Sequence, residues 1–229
     1  MRLVWSPESA SNAYHDTVRA CKDIQPWIGA AEYLSAQAAG LNAKLIVETW
    51  SDKSPIANSI GLIIGARHAA GSRHVCIVPD ERSRSAYLTG IREVSIINSP
   101  TVEVIVAGPD PQEAMESLDG VEFMVVNDGS SRFNIRALRF AKFGQNGAVL
   151  VCKRTSDAIF PSFNWNGMLR RGTRVVNSSF VPIGKGLDVA DIGARYIFGT
   201  GIGGDQGANP SHWINYVEET SGRDPLSRF

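Results

Sequence analysis

Residues 44–83 read KLIVETWSDKSPIANSIGLIIGARHAAGSRHVCIVPDERS, and this stretch decides the fold. Lys44-Leu-Ile-Val-Glu48 is a short apolar run with a polar segment behind it, the pattern of a strand buried on both faces. Ser54-Pro55 then supplies a hydroxyl to cap a helix and a proline whose φ is already helical. Ile56, Ile60, Ile63 and Ile64 recur at helical spacing before the pattern stops near Gly71. His74-Val-Cys-Ile-Val78 repeats the strand. Strand, helix and strand in this order make a βαβ unit, which requires parallel strands.

The same rhythm extends both ways. Upstream, Ser6-Pro7-Glu8 opens a helix carrying Ala10, Ala13, Tyr14 and Val18 at helical spacing, and a second helix runs from about Trp27 to Gly40. Its small residues Ala31, Ala38 and Ala39 permit close packing. Downstream come a helix from Ser83 to about Arg92, a strand Val102–Ala107 and a short helix with Asp110 as cap and Pro111 in its first turn. Strand Val121–Val126, helix Ser131–Phe143 and strand Ala148–Cys152 follow. After Lys153 the rhythm changes. Thr173–Pro182 and Leu187–Ile192 read as strands joined by Gly184-Lys185-Gly186, a hairpin able to close one edge of the sheet. The expected fold is α/β: a Rossmann-like three-layer sandwich, mostly parallel, with a C-terminal antiparallel hairpin. Residues 1–193 make one such domain, and 194–229 form a glycine-rich tail in which His212–Val217 alternates like an edge strand.

Bulk properties narrow the function. Lys plus Arg number 23 and Asp plus Glu number 23, so no overall field attracts nucleic acid or an anionic membrane. No apolar run approaches the ~20 residues of a membrane span, and no secretory signal opens the chain. Cys21, Cys76 and Cys152 are far apart and suit neither a zinc site nor a disulfide framework. Cys76 and Cys152 lie in apolar runs as core residues, and an intracellular, cytoplasmic setting is expected.

In a parallel sheet, ligands bind at the carboxyl ends of strands. The residues there are Glu48, Thr49, Trp50, Ser51, Asp52, Lys53 and Ser54; Pro79, Asp80, Glu81 and Arg82; Gly108; Asn127, Asp128 and Gly129; and Lys153 and Arg154. His68 and His74 flank the amino end of the second strand, so no histidine base is expected. Gly199-Thr-Gly-Ile-Gly-Gly204 matches G-x-G-x-x-G, but neither a strand before it nor a helix after it is expected, and it reads as a loop.

The order of elements resembles class I S-adenosylmethionine-dependent methyltransferases, in particular the cation-dependent O-methyltransferase branch. Met1-Arg-Leu-Val-Trp-Ser-Pro-Glu8, Ala43–Glu48, His74–Ser83, Gly147–Lys153 and Pro182-Ile-Gly-Lys-Gly-Leu-Asp188 are similar to a plant family of unknown function described as methyltransferase-like. The resemblance implies S-adenosylmethionine as cofactor, held by Glu48, Thr49, Trp50, Ser54, Asp80, Glu81 and Asn127, with Asp80 accepting the ribose hydroxyls. A methyltransferase working without metal needs a base, and the expected one is Lys153, its pKa lowered by Arg154 and burial, with Asp128 orienting the nucleophile.

Two departures carry chemistry. The family's glycine-rich turn is here Glu48-Thr-Trp-Ser-Asp-Lys-Ser-Pro55, without glycine between Gly40 and Gly61. Cation-dependent relatives carry an acid pair after the fifth strand, where this chain has Lys153-Arg154; no metal is expected. Two functions follow: a metal-free methyltransferase of unspecified small-molecule or protein acceptor, or a catalytically inactive fold serving as a ligand-binding or interaction module.

Overall fold

The computed structural model describes residues 5–24, 29–52, 54–94, 102–127, 131–154 and 164–194. The elements run α1 (Pro7–Cys21), α2 (Ala30–Gly40), β1 (Leu45–Thr49), α3 (Ile56–His68), β2 (Arg73–Val78), α4 (Glu81–Arg92) and β3 (Val102–Val106). Then come α5 (Gln112–Glu116), β4 (Asp119–Val121), β5 (Phe123–Val126), α6 (Arg132–Phe140), β6 (Lys142–Phe143) and β7 (Ala148–Lys153). The series closes with α7 (Trp165–Met168), β8 (Val175–Val181) and β9 (Leu187–Ile192).

Seven strands form one sheet in the order β3-β2-β1-β5-β7-β9-β8. Neighbours pair in parallel except at β9, which is antiparallel to both β7 and β8. Side-chain chemistry explains why β9 lies inside and β8 at the edge. Leu187, Val189, Ala190 and Ile192 of β9 are buried, whereas Asn177, Ser178 and Ser179 give β8 a polar, exposed strand.

Successive residues of each central strand point to opposite faces. Leu45, Val47, Val75, Ile77, Met124 and Val126 pack with Met115 of α5 and Leu138 of α6. Ile46, Phe123, Val125, Val149 and Val151 face Leu34 of α2 and Leu62 of α3, while Cys76 and Val78 meet Ile60, Tyr87 and Ile91. The sheet is thus covered on both faces, which is why its strands read as unbroken apolar runs.

Several local expectations change. Ser54 does not cap α3; Pro55 precedes the helix, and Ser54 folds back, its N–H donating to Ser51 O at 2.8 Å. Helix α4 begins at Glu81, earlier than Ser83, because the Asp80 carboxylate accepts from Ser83 N at 2.7 Å and caps it. The strand expected over 121–126 is broken at Glu122, and the helix expected to Phe143 ends at Phe140. The reason is common to both: Lys142–Phe143 leave the helix to pair with Asp119–Val121 as a second, two-stranded sheet. On α1 the buried stripe is Ala10, Ala13, Thr17 and Ala20, with Tyr14 and Val18 only half-buried. The candidate edge strand at 212–217, the Gly199–Gly204 loop and Trp27 lie outside the described residues. No described helix is long and apolar enough to cross a membrane.

Helices α2 and α3 approach closely because their contact is made of small residues. Gly61 faces the backbone of Ala31, and Gly65 faces Ser35 and Ala38. A methyl group on Gly61 would fall inside the van der Waals radius of Ala31 O, which is backbone and cannot rotate aside. Gly61→Ala is therefore expected to destabilise the protein by ~1–3 kcal/mol in urea unfolding, despite the better helix propensity of alanine. An unchanged midpoint would show that the two helices can separate without cost.

Candidate functional site at the carboxyl edge of the sheet

Chain order reverses at β1, which lies between β2 and β5, so the crevice of this fold opens at the carboxyl ends of these strands. A buried polar network lies beneath it. Glu48, with no exposure, accepts from Ser59 Oγ at 2.8 Å and from Tyr87 OH at 2.7 Å. His74 Nε2 stands 3.2 Å from Glu48 Oε1, near enough for attraction but outside hydrogen-bond geometry. Burial, with the Glu48 charge adding to it, pushes the Tyr87 phenol and the Cys76 thiol well above their ordinary values, so both stay neutral. Glu48 is thus a core residue that ties β1 to α3 and α4. The sequence signal was a glutamate inside an apolar strand; its partners, 11 and 39 residues away, carried none.

Thr49 and Trp50 continue β1 into the turn. Trp50 N donates to Ile77 O at 3.0 Å, prolonging the β1–β2 ladder. The indole is 5 % exposed and meets the Tyr87 ring edge-on, with centroids 5.3 Å apart. Thr49 Oγ1 and Trp50 Nε1 are both buried without a hydrogen-bond partner. Pro55 is exposed at the end of the turn. Asp52 reaches Arg82 at 3.2 Å, linking the turn after β1 to that after β2.

Asp80 is exposed at the end of β2. Hydrogen bonds from Ser83 hold its carboxyl below the usual carboxylate range. Glu81, also exposed, pairs with Arg84 at 3.3 Å. Asn127, buried at the end of β5, donates from Nδ2 to Thr49 O at 2.8 Å and accepts from Asn58 Nδ2 at 3.3 Å. Its amide fastens β5 to β1 and α3. Asp128 and Lys53 lie outside the described residues.

At the end of β7, Lys153 is half-buried and its amine is pushed below the ordinary lysine value by burial and by the charge of Lys185. The sequence reading assigned that second cause to Arg154, which instead makes a fork with Asp188 at 2.7 and 2.8 Å. Its guanidinium also stacks 4.7 Å from the centre of the Phe180 ring. Burial pushes the Cys21 thiol up to about 12, so this cysteine is no nucleophile at neutral pH.

The carboxyl edge therefore carries Asp80 exposed at the end of β2, Thr49 and Trp50 buried at the end of β1, and Lys153 two strands beyond β1. Glu48 and Asn127 are withdrawn beneath it, and Ser54 closes the turn.

Comparisons with known proteins agree with this fold. Residues 1–228 match the family described as a protein of unknown function (DUF1442). A methyltransferase from Geobacter sulfurreducens superposes with a TM-score of 0.52 at 17 % identity, covering 81 % of this chain and 88 % of the other. A candidate caffeoyl-CoA O-methyltransferase from Staphylococcus aureus gives 0.51 at 12 % identity, over 78 % of this chain and 91 % of the other. At such identities the likeness is one of fold. No curated protein matches the chain.

The Arg154–Asp188 pair gives a stability test of this edge. Arg154→Met leaves the Asp188 carboxylate, 3 % exposed, without its fork and is expected to cost ~3 kcal/mol in urea unfolding at neutral pH. Arg73→Met, which removes the exposed pair with Glu103, is expected to cost less than ~1 kcal/mol. Equal costs would show that Asp188 has no need of Arg154.

Proposed function

The chain belongs to the DUF1442 family, and from that premise we propose that it is an S-adenosylmethionine-dependent methyltransferase that works without a metal ion. The observation that carries this reading is the exposed Asp80 carboxylate beside two buried, partnerless polar atoms, Thr49 Oγ1 and Trp50 Nε1, at the strand ends where this fold binds ligands. A ligand with vicinal hydroxyls and a charged amino-acid end offers partners to such groups.

When bound, the cofactor supplies a methyl group on a positively charged sulfur. Asp80 holds the ribose hydroxyls while it also caps α4. Thr49 and Trp50 line the turn against the remainder of the cofactor. Lys153, neutral in the working form, takes the proton of the acceptor, and Asp128 orients the attacking atom. Where cation-dependent relatives carry an acid pair, this chain has Lys153 and Arg154, which offer no carboxylate oxygen to a divalent cation, and this disfavours a metal. The acceptor is a small molecule or a protein.

The second reading, an inactive fold kept as a binding module, is favoured by the same turn, since side chains stand at every position from Glu48 to Pro55.

Thermal unfolding separates the two. Cofactor at about 100 times its dissociation constant adds ~2.7 kcal/mol of stability. Asp80→Asn preserves a capping oxygen but removes the charge, so it is expected to weaken the response about tenfold while leaving the ligand-free transition nearly unchanged. No response of the wild type to S-adenosylmethionine or S-adenosylhomocysteine would leave only the binding module.

The proposed base predicts a pH profile. Lys153 acts when unprotonated, so the rate is expected to climb with pH and level off below the ordinary lysine value of 10.5. Lys185→Gln removes one of the two causes of the depression and is expected to move the rising limb to higher pH. A limb that survives unchanged in both Lys185→Gln and Lys153→Met would remove Lys153 from the reaction.

A further inference from the structure

The opposite edge of the sheet carries a feature that the methyltransferase reading does not use. A groove of about 500 Å³ opens between the segment from Ala141 to Gly144, the turn before β8 and the end of β9. Ile192 on its wall pairs with Ala148, the first residue of β7, whereas Lys153 pairs with Leu187 at the other end of that strand. The groove and the candidate base are thus separated by the length of β7, roughly 17 Å.

Its lining carries four cations and no carboxylate: Lys142, Arg170, Arg171 and Arg174. Lys142 is already matched by Asp119 at 3.2 Å. The three arginines are exposed and have no ion-pair partner among the described residues. In a chain whose formal charges cancel, three unmatched guanidinium groups within five residues form a local surplus.

The backbone holds that surplus in place. Thr173 N donates to Arg170 O at 3.1 Å, closing a turn in which Gly172 adopts φ +88. A side chain there would meet nothing within 4 Å, so glycine is required by the conformation rather than by space. Leu169 anchors the near side in the core, and Gly193 N holds Arg174 O at 2.9 Å on the far side. Phe143 and Ile192 add apolar wall beside the cations.

We propose that this groove is a second ligand site, in which Arg170, Arg171 and Arg174 bind the phosphate of a phosphate-bearing ligand. Guanidinium groups match phosphate oxygens with paired donors, and a groove of this size suits a small molecule or a single headgroup. The proposal does not depend on cofactor binding at the other edge.

The test uses the full-length protein and two sources of the same group: phenyl phosphate in solution, by calorimetry, and phosphatidylcholine vesicles doped with phosphatidic acid, by co-sedimentation. Saturable binding to either probe is expected, and the responding probe names the source. The triple variant Arg170→Gln, Arg171→Gln, Arg174→Gln is expected to bind about tenfold more weakly or not at all. A control with the same net charge, Arg19→Gln, Arg84→Gln, Arg92→Gln, is expected to bind as the wild type does. All six side chains are exposed, so circular dichroism should show both variants folded. Failure of the wild type to bind either probe, or equal losses in the two variants, would overturn the site.

Discussion

Glu48 enters the interior of this molecule as a carboxylate in the middle of a central strand, and the carboxyl edge is arranged around satisfying it. Removing a charge from water costs several kcal/mol unless partners replace the solvent. Ser59 of α3 and Tyr87 of α4 donate to its oxygens, and His74 of β2 lies close by. The interaction therefore fixes where two helices sit relative to β1 and β2. Those helices begin at the turns that carry Thr49, Trp50 and Asp80, so the crevice geometry follows from a group that never reaches it.

The rest of the sheet obeys a simpler constraint. A parallel sheet buried on both faces must be apolar in both alternating sets of side chains, and β1, β2, β5 and β7 meet this condition almost throughout. Exceptions are Glu48 in its network, His74 beside it and Thr49, whose hydroxyl has no partner, while Asn127, just past β5, clamps β1, β5 and α3. Asp188 of β9 is balanced by Arg154 in the same way.

Charge divides the two edges of the sheet. At the carboxyl edge acids and bases are interleaved, and Asp52–Arg82 and Arg154–Asp188 match one another across loops. At the amino edge of β7, three arginines on one pinned turn are left unmatched. A chain of zero formal charge can thus present one balanced surface and one that attracts anions.

The sequence by itself determined the layers. Short apolar runs separated by helical periodicity specify parallel strands and crossovers, and the Gly184–Gly186 hairpin specifies the reversed strand, because these signals are local. It also placed Asp80, Thr49 and Trp50 at strand ends, which depends on element order alone. Tertiary structure decided what each side chain does there. Glu48 and Asn127 also stood at strand ends, but Glu48 is drawn inward by Ser59 and Tyr87 and Asn127 by Asn58, all distant in sequence. Arg154 was claimed by Asp188, leaving Lys185 as the cation that depresses Lys153. Helix α6 lost its last turn to a pairing between Phe143 and Val121 that no helical period could announce. In each case the deciding energy comes from a contact between segments far apart along the chain, and such contacts exist only once the sheet has formed.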